Sequence, residues 1–201
     1  MFIVIEGLDG TGKSTAAKTL AKALGGKFLT TPLDKFKTVR PELEEIYSDE
    51  SLARQLFYAS TAVSSSNRVS EELTQNDCVI IDRYWLSTQV CHSWRTAGEY
   101  FLLPEVEASI LKPDLTVYLN ISLEERIKRL GGRSNNTEED RLTTNVVANA
   151  KLNELYLSYS DSSFVGQWLG VDASIQTDVI VKSILKYINK NMTPVSVLFA
   201  S

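Results

Sequence analysis

Phe2-Ile3-Val4-Ile5-Glu6-Gly7-Leu8-Asp9-Gly10-Thr11-Gly12-Lys13-Ser14-Thr15 decides the fold. Four apolar residues in a row, without polar alternation, predict a strand buried on both faces. Gly7 to Ser14 then fits G-x-x-x-x-G-K-S/T in full. That pattern is a phosphate-binding loop joining a strand to a helix. The required helix follows over 15–24, with Ala16, Ala17, Leu20, Ala21 and Leu24 on one face and Gly25-Gly26 as its stop. In such a loop the glycines let backbone N–H groups turn inward around phosphate oxygens, and the helix adds its positive end. Lys13 is placed to reach the β- and γ-phosphates of ATP, and Ser14 to hold Mg2+. Gly7, Leu8, Asp9, Gly10, Thr11, Gly12, Lys13, Ser14 and Thr15 are the expected ATP-binding set.

The rest of the chain repeats the alternation. Lys27 to Thr31 reads as a second, weaker strand closed by Pro32, and 52–73 as one long helix. Cys78 to Ile81 and Leu115 to Ile121 are further buried strands. Ser122 and Glu125 have the spacing of a capping box and open a helix. A helix is expected over 138–159, a last strand over 168–171, and a final helix capped near Ser174 and running to Lys190. Continuous apolar strands separated by helices predict an α/β, three-layer P-loop NTPase fold, with a parallel sheet of about five strands covered by helices on both faces. The expected organisation is a single domain over 1–201. Ligands of such sheets sit at the carboxyl ends of the strands.

Asp82-Arg83 stands at one of those ends, directly after Cys78 to Ile81. An aspartate there can order Mg2+ and its waters, and an arginine can fork two phosphate oxygens. A plain surface ion pair is the competing reading, since such pairs are common. Arg126, Arg129, Gly131-Gly132, Arg133, Ser134-Asn135-Asn136 and Asp140-Arg141 follow. Glycines, a polar tip and arginines between two helices describe a lid over about 129–141 that folds over ATP. Alone, the same composition describes a solvated charged loop. The phosphate loop makes the lid the preferred reading.

Composition bounds the partners. The chain has 201 residues, 43% apolar content and a formal charge of -4. That supports a packed core and disfavours a long nucleic acid as ligand. Cys78, Cys91 and the single His92 lack metal-ligand spacing, and two thiols suit a reducing compartment. No apolar run is long enough to cross a membrane, and residues 1–7 do not read as a signal peptide. The expectation is a cytoplasmic protein with no membrane partner, or a mitochondrial one if a targeting segment has been removed. A GTPase would need Asn-Lys-x-Asp; the only Asn-Lys continues as Asn189-Lys190-Asn191-Met192.

Taken together, residues 2–15, Asp82-Arg83-Tyr84 with Ser87, and Lys112-Pro113-Asp114-Leu115 make the chain resemble the thymidylate kinase family of nucleoside monophosphate kinases. The order and spacing extend to about residue 190. Within that family, Asp82-Arg83-Tyr84-Trp85 with Ser87-Thr88, Leu111 to Asp114 and Val171 to Ser174 look most like the UMP–CMP kinase branch. The resemblance implies transfer of the ATP γ-phosphate to a pyrimidine nucleoside or deoxynucleoside monophosphate (dTMP and dUMP, or UMP and CMP), with magnesium. It implies Lys13, Arg83, Arg133 and Asp9 as catalytic residues, with Arg133 as charge-neutralising finger because the loop carries Gly10 and no arginine. It implies Arg129 as an ATP contact and Asp9, Arg40, Tyr58, Arg83, Ser87, Thr88 and Arg141 as substrate contacts. Ser14 and Asp82 would serve the metal. A homodimer is implied as well.

Three positions depart from that pattern. Thr30-Thr31-Pro32-Leu33-Asp34 replaces an Arg-Glu-Pro-Gly segment, Ala62 replaces a base-contacting arginine, and Cys91 replaces a tyrosine that crowds the sugar 2′ position. Each weakens the assignment to dTMP; none touches the phosphate machinery. A deoxynucleoside kinase, with Glu6 as its base, is the alternative within the enzymes. A non-catalytic nucleotide-binding regulator of the same fold is the alternative outside them. A kinase acting on nucleic-acid ends comes third and is disfavoured by the acidic charge.

Overall fold

The computed structural model describes residues 1–96, 103–132 and 138–192, of 138 and 139 the backbone only. Along the chain run β1 (Phe2–Glu6), α1 (Lys13–Ala23), β2 (Lys27–Thr30), a 3-10 turn (Asp34–Phe36), α2 (Arg40–Ile46) and α3 (Ser51–Leu73). Then come β3 (Val79–Asp82), α4 (Trp85–Arg95), α5 (Pro104–Ser109), β4 (Leu115–Asn120) and α6 (Leu123–Gly131). The last elements are α7 (Glu138–Thr143), α8 (Val146–Ser158), β5 (Gln167–Asp172) and α9 (Thr177–Asn191).

The five strands form one sheet in the order β2-β3-β1-β4-β5, every pair parallel. The register sets Ile5 beside Asp82 and Glu6 beside Tyr118, so the carboxyl ends of β3, β1 and β4 meet where the phosphate loop leaves β1. The two-residue alternation of a strand sorts the apolar run into two cores. Ile3 and Ile5 pack with Leu20, Val117 and Ile184 under α1 and α9. Phe2 and Val4 pack with Ala62, Val79 and Trp85 under α3 and α4. A third cluster joins Leu86 and Val90 of α4 to Leu152 and Tyr156 of α8. Asp114 ties β4 to β1: its carboxylate accepts from the Phe2 N–H at 2.6 Å, and its own N–H donates to the Phe2 carbonyl at 2.9 Å. Burial pushes the Cys78 thiol up to about 11, which leaves it an inert core group.

Two helix boundaries differ from the sequence expectation. The helix expected over 138–159 is two helices, because the Asn145 side chain accepts from the N–H groups of Val147 and Ala148 and starts α8 afresh. The final helix begins at Thr177, not near Ser174. The Ser174 N–H is instead held by Asp172 Oδ1 at 2.8 Å in a turn. The pattern also gave no sign of α4. Its Ser87, Thr88, Gln89, His92 and Ser93 are all buried, so no polar stripe marks a solvent face.

Candidate active site

Phosphate-loop backbone comes first. Gly7 has φ of 137°, and a Cβ there would lie 2.4 Å from the Leu119 carbonyl oxygen of β4. Only glycine lets the loop lie this close to the sheet. Lys13, with 5% of its side chain exposed, donates from Nζ to the Leu8 carbonyl at 2.8 Å and pairs with Asp9 Oδ1 at 3.3 Å.

Arg83 faces it across the loop. Its Nη2 is 2.7 Å from the same Asp9 Oδ1, and its Nη1 donates to Ser87 Oγ at 3.0 Å. Its backbone has φ of 66°, the left-handed region, and its N–H donates to the Ile5 carbonyl at 3.0 Å. A non-glycine residue is held there only by its surroundings, and such strain concentrates at functional sites.

Two buried cations dominate the electrostatics of the loop. Burial pushes the Lys13 ammonium down and the Arg83 charge adds to that push, against the pull of Asp9 and Asp82. Partial burial would raise the half-exposed Asp9 carboxyl, but Arg83 and Lys13 hold it well below the usual carboxylate range. Burial opposes the Arg83 charge, yet Asp9 and its neighbours keep it fully charged. Both cations contact the Asp9 carboxylate, with the charges of Asp82 and Glu6 close by, and phosphate oxygens would compete with Asp9 for them.

A metal fits the next pair. Ser14 Oγ donates to Asp82 Oδ2, while Asp82 Oδ1 is buried and accepts nothing among the described residues. A hydroxyl beside a carboxylate with a spare lone pair is the hard-oxygen set that Mg2+ takes, its remaining positions being filled by phosphate and water. Among the described residues no group of three or more His, Cys, Asp or Glu could hold a metal ion by itself.

The arginines of α6 separate. Arg126 does not fold over the loop; it is 1% exposed and braces it from inside. Its Nε donates to the Asp9 carbonyl at 2.7 Å, its Nη1 to the Thr143 carbonyl at 2.5 Å and Asn149 Oδ1 at 2.9 Å, and its Nη2 to Thr143 Oγ1 at 2.6 Å. Arg129, one turn on, reaches the Thr11 carbonyl at 3.4 Å and the Ala173 carbonyl at 2.9 Å. It lines a cleft of about 410 Å³ with Thr11, Gly12, Ser174 and Gln176, at the open side of the phosphate loop. A cleft of about 430 Å³ between α4 and α8, lined by Trp94, Val147 and Lys151, includes none of the predicted site residues.

The other predicted residues divide. Arg40 and Tyr58 do come together, on α2 and α3. Arg40 Nε donates to Glu44 Oε1 at 3.1 Å and Tyr58 Oη at 3.2 Å, while Arg54 pairs with the same Glu44 oxygen at 3.7 Å. Burial, helped by Glu44, pushes the Tyr58 hydroxyl well above its usual range against the pull of Arg40. Ser87 and Thr88 lie buried in the first turns of α4. Thr15 and Arg141 are exposed, on α1 and α7. Arg133 and most of the predicted lid tip lie outside the described residues. Arg126 as a brace and Tyr156, whose hydroxyl meets Ser87, are additions from the structure. Arg126 had a usable signal, since Leu130 four residues on shares its face and is also buried.

A family model described as Thymidylate kinase matches residues 5–184. A probable thymidylate kinase of Thermococcus onnurineus is 29% identical over 177 residues, 80% of this chain and 84% of the relative. Another, of Methanococcus aeolicus, is 36% identical over 135 residues, 66% of this chain and 67% of the relative. Among solved structures, the thymidylate kinase of Candida albicans matches with a TM-score of 0.70 at 22% identity, over 94% of this chain and 91% of that one. The deoxyadenosine kinase of M. mycoides matches with a TM-score of 0.64 at 19% identity, over 94% of this chain and 100% of that one. At these identities the two structures speak for the fold. Among the described residues no helix is long and apolar enough to cross a membrane.

Proposed function

The chain belongs to the thymidylate kinase family, and on that premise we propose that it moves the γ-phosphoryl group of ATP onto a pyrimidine nucleoside monophosphate. The carrying observation is the pairing of Arg83, at the end of β3, with Asp9 inside the phosphate loop. On this reading the guanidinium would lie between the donor and acceptor phosphates. Phosphoryl transfer of this kind requires in-line positioning and neutralisation of charge, with no protein nucleophile. Lys13 and the loop amides would hold the donor phosphates, and Arg83 would fork oxygens of donor and acceptor. Asp9 would aim Arg83 and border the acceptor. Ser14 and Asp82 would hold Mg2+, which when bound neutralises phosphate charge.

Arg133 remains the proposed finger in a lid over 129–141. Arg133→Ala is expected to lower kcat with little change in the KM for ATP. A change confined to KM would make it a binding residue.

The state of Glu6 favours a monophosphate over a nucleoside as acceptor. A nucleoside must lose its hydroxyl proton to a base. Glu6 is fully buried, and its carboxylate already accepts from the N–H groups of Tyr84 and Ser87 and from the Ser87 hydroxyl. The complete set of Lys13, Ser14, Asp82 and Arg83 favours a working enzyme over a regulator.

Two residues support breadth in the acceptor. Ala62 is fully buried in the α3 core, where a base-reading arginine has no room. Cys91 lies on α4, one turn after Ser87, and a small side chain there would leave room for a ribose. The test is a coupled assay with ATP, with and without magnesium, offering dTMP, dUMP, UMP, CMP and dCMP beside the parent nucleosides. Turnover of two or more monophosphates, lost without magnesium, is expected. Turnover of dTMP alone would overturn the breadth, and turnover of nucleosides alone would overturn the acceptor class. The same reading carries a homodimer, which sedimentation checks.

A further inference from the structure

We propose that Ser87 and Tyr156 are positioning residues that aim the Arg83 guanidinium, a role that rests on the phosphoryl-transfer reading above. A serine hydroxyl has one proton and two lone pairs. Ser87 gives its proton to Glu6 Oε2. One lone pair takes the N–H of Arg83 Nη1 at 3.0 Å. The other faces Tyr156 Oη at 3.2 Å. Because the Ser87 proton is already committed, Tyr156 is the donor there. The hydroxyl is saturated, so Ser87 has nothing left with which to bind an acceptor. Its work is internal.

That work has an object. The strained Arg83 backbone fixes where the side chain starts, and two contacts fix where it ends: Asp9 on Nη2 and Ser87 on Nη1. Asp9 is half-exposed and is the contact that incoming phosphates would compete with. Ser87 is 8% exposed, Tyr156 1% and Glu6 0%. The buried anchor therefore persists when nucleotides arrive. Tyr156 is itself held rigid, its ring stacked on Tyr118 with centroids 5.0 Å apart. Helix α8 thereby reaches, through one hydroxyl, the arginine at the centre of the site.

The test compares Tyr156→Phe, which keeps the ring and its stacking, with Ser87→Ala and the double variant. We expect kcat to fall about 5-fold in Tyr156→Phe and about 30-fold in Ser87→Ala, with acceptor KM changed less than about threefold. The double variant should match Ser87→Ala, because Tyr156 acts through Ser87. Unchanged kcat, additive losses, or a rise in acceptor KM at constant kcat would each overturn the assignment. A readout independent of turnover is nitrogen-15 NMR of the Arg83 guanidinium. Slow rotation about Cζ–Nε in the wild type should quicken in both variants. Rotation equally slow in all three overturns the positioning role even if no monophosphate is phosphorylated. Absent wild-type turnover with quickened rotation overturns only the functional reading.

Discussion

Lys13→Ala should remove turnover while leaving a folded protein. The ammonium is buried and desolvated, and among the described residues its hydrogen bonds go to the Leu8 carbonyl and to the Asp9 carboxylate it shares with Arg83. Removing it deletes those contacts, worth about 1 kcal/mol each, but also deletes its repulsion with Arg83. Stability therefore changes little. In the reaction nothing offsets the loss. The donor phosphates would keep the loop amides and the helix end, but would lose the charge that follows the phosphoryl group as it moves. A drop in kcat of about 10³-fold or more is the scale for losing a cation in such a site. Thermal unfolding and a radiolabelled transfer assay check the two halves. Turnover near the wild-type level from a folded variant would remove Lys13 from the chemistry.

Legibility in the sequence followed the range of the interactions. The strand, loop and helix of 2–24 are local, and the structure keeps them within two residues of the expected bounds. Asp82-Arg83 was readable because its neighbours on β3 form an unbroken apolar run, which fixes the strand end and so the site. Arg126 and Arg129 show the limit. Three residues apart on a short helix, they read alike, yet one is interior and the other half-exposed. Part of what separates them is Gly10, more than a hundred residues away. Its missing side chain leaves the gap in which the Arg126 stem lies, since a Cβ there would come 3.1 Å from Arg126 Cγ. Tyr156 was hidden differently. It sits among Leu152, Leu155 and Tyr159 and reads as a core aromatic; packing is half of what it does. The break at Asn145 and the Asp172–Ser174 turn were local features overlooked, and Asn is an ordinary helix-starting signal.

Arg126→Met should produce the largest loss of stability, and the reason is the chemistry of its partners. A buried charged pair can often be replaced by apolar residues without loss, because both charges leave together. Arg126 cannot be treated so. Two of its four hydrogen bonds go to the backbone carbonyls of Asp9 and Thr143, which no substitution removes. Methionine fills most of the volume and relieves the desolvated charge, but strands these acceptors beside the buried Asn149 Oδ1 and Thr143 Oγ1. At about 1 kcal/mol or more for each stranded group, a net loss of about 3 kcal/mol is expected. For a chain of this size that lowers Tm on the order of 10 °C. Adding Thr143→Val and Asn149→Leu should recover part of the loss and not the backbone share. The Asp9 peptide, released from α8, should also shift, so the KM for ATP should rise in both variants. Denaturant unfolding, read at constant slope, measures the first effect and initial rates the second. If Arg126→Met unfolds at the wild-type midpoint, the buried arginine holds nothing, and the link between the phosphate loop and α8 is not what keeps the loop in place.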